Sequence, residues 1–216
     1  MPASGLFAAF VALISWGIGD FSVQRAVRGV GSTVALFAIS AFGTVVLLPF
    51  AWKSIPTIFV SQQAWILLAL AAAVMTIAAF FEFRSLQVGK LAVQEPVLSF
   101  ELVLTVAIGV ALLGDRLSMT QLLFAAIVFF GITLTVYQKQ HRQWWQRHRG
   151  RLHLEPGVLF ALAGTVFMTF TNVLTGLGSQ AIANGYAAIW FINAGITCHQ
   201  FNKQVQHLGL ESFRAT

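Results

Sequence analysis

Long apolar stretches follow one another along most of the chain, and the short segments between them carry Gly, Pro, Ser or charge. Each stretch is about as long as the ~20 residues that an α-helix needs to cross a bilayer. Continuous apolar runs of this length are typical of membrane helices, because the strands of a membrane barrel are short and alternate. The pattern predicts six spans, near residues 4–24, 32–52, 64–84, 91–113, 117–137 and 157–178.

Composition agrees with this pattern. Of 216 residues, 57% are hydrophobic and only 9% are charged. An ordinary soluble domain has roughly a quarter charged residues, so this chain could not cover a surface in water. The sequence therefore predicts an all-α, polytopic transmembrane bundle, and a prokaryotic plasma membrane is the expected location. The first apolar run lacks a basic leader and a clear cleavage site, and we interpret it as a retained span.

The net charge of +6 is concentrated rather than spread, since five of the thirteen Lys and Arg residues lie in 139–153, KQHRQWWQRHRGRLH. A basic loop beside membrane spans more often sets topology than binds a polyanion, so no nucleic acid partner is expected. Most other cations follow the odd-numbered spans, which favours an N-terminus outside the cell. The single cysteine, Cys198, excludes an internal disulfide, and no metal or other cofactor is expected.

The apolar pattern restarts after the basic loop, and an offset of 152 residues aligns the restart with the beginning of the chain. We predict a first five-helix repeat, a basic linker, the start of a second repeat, and a polar tail. Their bounds are 1–138, 139–156, 157–197 and 198–216. The offset pairs Asp20 with Asn172, Ser32 with Asn184, Ala35 with Ala187 and Gly43 with Gly195.

The second repeat is expected to be incomplete. Its second span begins as GYAAIWFINAGIT at 185–197, but thirteen apolar residues are too few to cross a bilayer. The polar sequence that follows does not match the first repeat. We interpret this as truncation or a lost reading frame near Thr197. The alternative is a genuine short tail after a tilted or interfacial segment.

Three motifs resemble the EamA family of the drug/metabolite transporter superfamily. They are SWGIGDFSVQRAV in the first span, FEFRSLQVGKLAVQEPV at the start of the fourth, and LLGDRLSMTQ before an apolar run that ends at Gly131. Asp115 stands where the family usually has Glu. The resemblance implies two inverted five-helix halves that transport small metabolites by alternating access, around a midplane cavity lined by helices one, three and four. It also implies an N-terminus inside, against the charge distribution.

Two glutamates in VQEPVLSFELVL, residues 93–104, need an explanation in a membrane span. Glu101 lies about 15 Å from a helix start at Leu91, near the bilayer middle, where a carboxylate costs roughly 2.5–3.5 kcal/mol. We expect Glu101 to handle substrate or a proton; the alternative is a protonated acid that hydrogen-bonds a neighbouring helix. Glu95 points about 120° away. It either shares this pathway or pairs with Lys90 or Arg84.

Pro96, between these glutamates, removes a backbone donor and is predicted to kink the helix beside a cavity; a kink for packing alone is the alternative. Asp20 and Trp16 lie four residues apart and are candidates for the cavity mouth, although Asp20 could instead pair with Arg25 or Arg28. Asn172 is a candidate pathway residue or an interhelix hydrogen-bond donor. Glu82 and Arg84 are expected to snorkel to the interface.

The predicted function is transport of a small metabolite or drug, with proton coupling through a titratable carboxyl. The alternative is a non-transporting fragment, or a half-transporter subunit that must dimerise with itself. An intramembrane enzyme is less favoured, because the sequence lacks G-x-S-x-G and H-E-x-x-H motifs and has no histidine in its first 140 residues.

Overall fold

A computed structural model describes residues 3–114, 118–120, 122–127, 129–131, 134 and 157–214. Every regular element within these residues is helical, which confirms the prediction of an all-α polytopic bundle. The helices are α1 Ala3–Val30, α2 Ser32–Ala51, α3 Ile55–Val60, α4 Gln62–Val88, α5 Leu91–Leu98, α6 Phe100–Leu113, α7 Val158–Ile182 and α8 Gly185–Arg214, with a 3₁₀ turn at Trp52–Ser54.

Four of the described segments are long and apolar enough to cross a membrane. They are Ser32–Val60, Gln62–Val88, Leu91–Ala111 and Val158–Ile182. These segments coincide with the second, third, fourth and sixth predicted spans, and α1 contains the first. The fifth predicted span, 117–137, lies only partly within the described residues, where a shorter apolar helix runs over Leu122–Gly131. The predicted linker 139–156 lies outside the described residues, and so does Asp115.

Helix α4 is the centre of the bundle, and it packs most extensively against α7. The two helices are antiparallel, because Gly178 faces Leu68 near one end and Gly164 faces Glu82 near the other. A Cβ atom on Gly164 would lie 2.7 Å from the Glu82 Cγ atom. Small residues therefore allow the two backbones to approach closely, as they do at many membrane helix interfaces.

The start of α7 is fixed against the end of α4. Gly157 precedes the helix with φ at +95°, in the left-handed region. A Cβ atom there would lie 2.8 Å from the Ser85 carbonyl oxygen, so both the backbone conformation and the close approach require glycine. The end of α4, the start of α5 and the start of α7 consequently lie at the same end of the bundle.

Helices α2 and α8 also pack antiparallel. The Phe50 ring lies tilted against Tyr186, with centroids 5.7 Å apart, and Phe37 stacks on Phe201 at 6.3 Å. Between these ring pairs, the Thr197 hydroxyl donates to Ser40 Oγ at 3.0 Å. Helices α2 and α8 are the elements that the offset of 152 residues pairs. Antiparallel packing of such a pair is the arrangement that a two-fold axis in the membrane plane produces.

Helix α8, which contains the predicted second span of the second repeat, is longer than the apolar run at 185–197. The run of thirteen apolar residues ends at Thr197, but α8 continues without interruption through the polar residues to Arg214. Backbone hydrogen bonds of a helix do not depend on side-chain polarity, so a polar sequence with few helix breakers can prolong it. The buried Gln200, 5% exposed, continues the face formed by Ile192 and Ile196.

Candidate functional site: a carboxyl cluster

Four acidic side chains from four helices come together in the bundle. They are Asp20 of α1, Glu82 of α4, Glu95 of α5 and Glu101 of α6. Glu82 lies within electrostatic range of the other three, and Glu95 within range of Asp20 and Glu101. Glu101 and Asp20 also interact. Every pair among the four is therefore close enough for like charges to repel, and we call this group the carboxyl cluster.

The helix ends explain how the carboxyl cluster forms. The end of α1, the end of α4 and the start of α5 meet at one end of the bundle. At a rise of 1.5 Å per residue, Glu82 and Glu95 lie about 9 and 6 Å inside that end. Glu101 lies about 15 Å inside it. Asp20 lies one turn before Gln24, which bonds the Leu86 carbonyl, so it is level with Glu82. Glu101 is thus the deepest of the four carboxyls.

Glu82 is the member of the carboxyl cluster that sequence reasoning missed. The prediction that it snorkels assumed a span ending at residue 84, but α4 continues one turn further to Val88. Its side chain is half-buried, and its Cγ atom packs over Gly164 of α7. The available signal was FEFRSLQV, because these eight residues contain no Gly or Pro that would end a helix at Arg84.

The helix that carries Glu95 and Glu101 is interrupted between them. Helix α5 ends at Leu98, two residues after Pro96, and α6 begins at Phe100. At this interruption the Thr165 hydroxyl of α7 donates to the Val97 carbonyl at 3.2 Å, and it shares its proton with the Ala161 carbonyl of its own helix at 2.9 Å. The Ser99 hydroxyl donates to the Glu95 carbonyl at 2.8 Å. The Glu95 and Val97 carbonyls on either side of Pro96 therefore each accept from a hydroxyl, and the Val97 bond joins this helix to α7.

The remaining predicted site residues lie beside the carboxyl cluster rather than in it. Asn172 of α7 is 3.4 Å from the Thr105 hydroxyl through its Nδ2 atom, one turn beyond Glu101 on α6. Asn172 therefore makes the interhelix contact that was one of its two predicted roles. Trp16 lies one turn before Asp20, and 66% of its surface is exposed.

Two of the cations proposed as partners for these acids bind elsewhere. Arg84 donates to the Gln87 side chain at 2.6 Å, and Arg28 donates to the Gly89 carbonyl. Within the described part of the chain, no group of three or more His, Cys, Asp or Glu side chains is arranged to hold a metal ion.

Among known proteins, no curated protein and no solved structure matches the chain, whereas one family does. The model of the EamA-like transporter family matches residues 3–137, and this range contains all four helices that supply the carboxyl cluster. The match covers more than half of the chain. The protein therefore belongs to the EamA-like transporter family, a family of multi-pass membrane transporters rather than of enzymes.

Proposed function

We propose that the protein moves a small metabolite or drug across a prokaryotic plasma membrane by alternating access, coupled to protons at the carboxyl cluster. The observation that carries the proposal is the convergence of four carboxyls from four helices at membrane depth. A single carboxylate near the bilayer centre is already costly, and three neighbouring carboxyls add mutual repulsion. Such an arrangement favours a site where protons and a substrate exchange.

The different depths of the four carboxyls suggest different roles. Glu101 lies deepest, and it is the residue that we assign to direct proton or substrate handling. Glu82 and Glu95 lie nearer the end of the bundle, where they would pass protons between Glu101 and water. Asn172 and Trp16 flank the pathway on α7 and α1.

The antiparallel packing of α2 and α8 supports a mechanism built on inverted halves. A transporter of this kind rocks one half against the other around a fixed site near the membrane middle. The interruption at Ser99 supports the same mechanism, because irregular backbone at membrane depth is tolerated where protein or a water-filled cavity reaches it.

Proton coupling is tested in proteoliposomes that contain a pH-sensitive dye. Mixtures of amino acids, amines or nucleosides are added outside under a pH gradient, and the internal pH is followed. We expect a mixture-dependent proton flux with the unmodified chain, its loss in Glu101→Gln, and partial retention in Glu101→Asp, which keeps a carboxyl. Equal elution profiles in detergent establish that the variants insert and fold alike. A pH-dependent flux that persists in Glu101→Gln would refute the coupling role of Glu101.

A further inference from the structure

Two side chains of α1 bind the segment that joins α4 to α5. The Gln24 amide donates to the carbonyl oxygens of Leu86 and Gly89 at 3.2 and 3.3 Å. Arg28 also donates to the Gly89 carbonyl. Gln24 and Arg28 are four residues apart and therefore lie on one face of α1. Gln24 is 8% exposed, so its amide obtains these bonds from protein rather than from bulk water.

The acceptors are available because a helix ends there. The last carbonyls of an α-helix lack partners within the helix, and buried ones must find donors elsewhere. Leu86 belongs to the last turn of α4, and Gly89 follows it directly. The side chains of Gln24 and Arg28 therefore act in place of the donors that these carbonyls lack within their own helix. Such bonds join two helices, and they can be broken without unfolding either helix.

These bonds lie between the carboxyl cluster and one end of the bundle. Asp20 is one turn before Gln24 on α1, and Glu82 is one turn before Leu86 on α4. The cationic side chains of Arg25, Arg28 and Arg84 lie at this end, so we call it the cationic end. These bonds hold α1 against α4 between the carboxyl cluster and the cationic end.

The other half of α1 is held much less. Large apolar side chains there are strongly exposed, among them Phe10 at 61%, Leu13 at 68% and Trp16 at 66%. Among the α1 side chains that the structure describes, the buried ones are Gln24 and Val27. Helix α1 is thus attached near the cationic end and loosely packed beyond the carboxyl cluster.

We propose that Gln24 and Arg28 form a latch that closes the carboxyl cluster toward the cationic end, and that its release opens the site to that side. This inference rests on the proposed function, since a latch matters only where access alternates. A latch of a few hydrogen bonds suits this task. The loss of one or two such bonds changes a two-state equilibrium by about 5- to 30-fold, which is enough to switch the favoured state without destroying the fold.

The test measures access to the carboxyl cluster rather than transport. In a Cys198→Ser background, Asp20→Cys serves as the reporter. Sealed vesicles are prepared in each of the two orientations, and a membrane-impermeant maleimide added outside reaches one side of the protein in each preparation. A separate Arg25→Cys variant, at an exposed position, identifies which side reaches the cationic end. With the latch intact, we expect the reporter to react slowly from the cationic end and faster from the opposite side.

The latch variants are Arg28→Ala, Gln24→Ala and their combination, and Arg25→Ala is the matched control. Arg25 is a neighbouring exposed cation that donates to neither carbonyl. We expect the combined variant to raise the labelling rate from the cationic end about 5- to 30-fold, and Arg25→Ala to leave it unchanged. Arg28→Ala replaces an exposed side chain, so it provides the test if the buried Gln24 proves necessary for folding.

An unchanged labelling rate in folded Arg28→Ala and in the combined variant would overturn the latch. Rapid labelling of the unmodified reporter from the cationic end would overturn it as well. Neither outcome depends on turnover, so a failed latch is distinguishable from a failed transport assay. A chain without proton flux but with latch-dependent labelling would refute the proposed coupling and leave the latch standing.

Discussion

The contact between Gly164 and Glu82 gives a prediction whose magnitude follows from the structure. In Gly164→Ala, the new Cβ atom would lie 2.7 Å from the Glu82 Cγ atom and 3.2 Å from the Glu82 backbone nitrogen. Both distances are too short for the present packing, and the backbone atom cannot rotate away. Overpacking of a tight interface typically costs about 1–3 kcal/mol. Replacing a helical glycine by alanine returns up to about 1 kcal/mol.

Gly176 is the matched control, because it lies on the same helix and a Cβ atom there would meet nothing within 4 Å. The helix-propensity gain is common to both variants, so the difference between them isolates the contact with α4. We expect Gly164→Ala to have a free energy of unfolding about 1–3 kcal/mol below that of Gly176→Ala. The measurement is equilibrium unfolding in mixed detergent micelles with increasing SDS, followed by tryptophan fluorescence.

A double-mutant cycle assigns the loss to the correct neighbour. Adding Glu82→Ala removes the Cγ atom that the new methyl group would meet, so the two substitutions should compensate in part. If Gly164→Ala were as stable as Gly176→Ala, the close packing of α4 on α7 would be refuted. If Gly164→Ala were less stable but the cycle showed no coupling, the loss would come from a contact other than the Glu82 side chain.

Two hydrogen bonds at helix contacts give further predictions. Asn184 caps α8 by accepting from the Ala187 backbone nitrogen at 3.2 Å, and it donates to Ser54 Oγ at 2.7 Å. Asn184→Ala loses both bonds and should lower the free energy of unfolding by about 1–3 kcal/mol, whereas Asn202→Ala, at an exposed helical position, should not lower it in the same SDS titration. Thr165→Val removes the donor to the interrupted helix and should cost about 0.5–2 kcal/mol. The half-buried Thr175 is its control, and equal losses in Thr165→Val and Thr175→Val would contradict the assignment.

The sequence was sufficient for the class of fold, because the physical constraint is strong. Apolar runs of about 20 residues at membrane depth must be helices, and this holds without knowledge of any neighbour. Helix ends were less well predicted. The third span was predicted to end at residue 84, yet α4 continues to Val88. That one turn moved Glu82 from the predicted interface into the carboxyl cluster.

The candidate site was predictable only residue by residue. Glu101, Glu95 and Asp20 could each be chosen because an acid in an apolar span is costly. Their convergence depends on which helix ends meet, and those contacts join distant parts of the chain. Gln24 and Gly89, for example, are 65 residues apart in sequence. A polar residue such as Gln24 shows no periodic signal that would identify the carbonyl to which it donates.

The central position of α4 has a consequence for the order of events during synthesis. Helix α4 leaves the ribosome well before α7, whose glycines complete its interface about 80–110 residues later in the chain. Until then, Glu82 lacks its α7 neighbour, and the nascent bundle presents an unfinished polar face inside the membrane. The protein should therefore be most vulnerable to membrane chaperones and quality-control proteases in this interval. Substitutions that delay docking of α7, Gly164→Ala among them, should lower the amount of protein that accumulates in cells by more than their equilibrium cost alone implies.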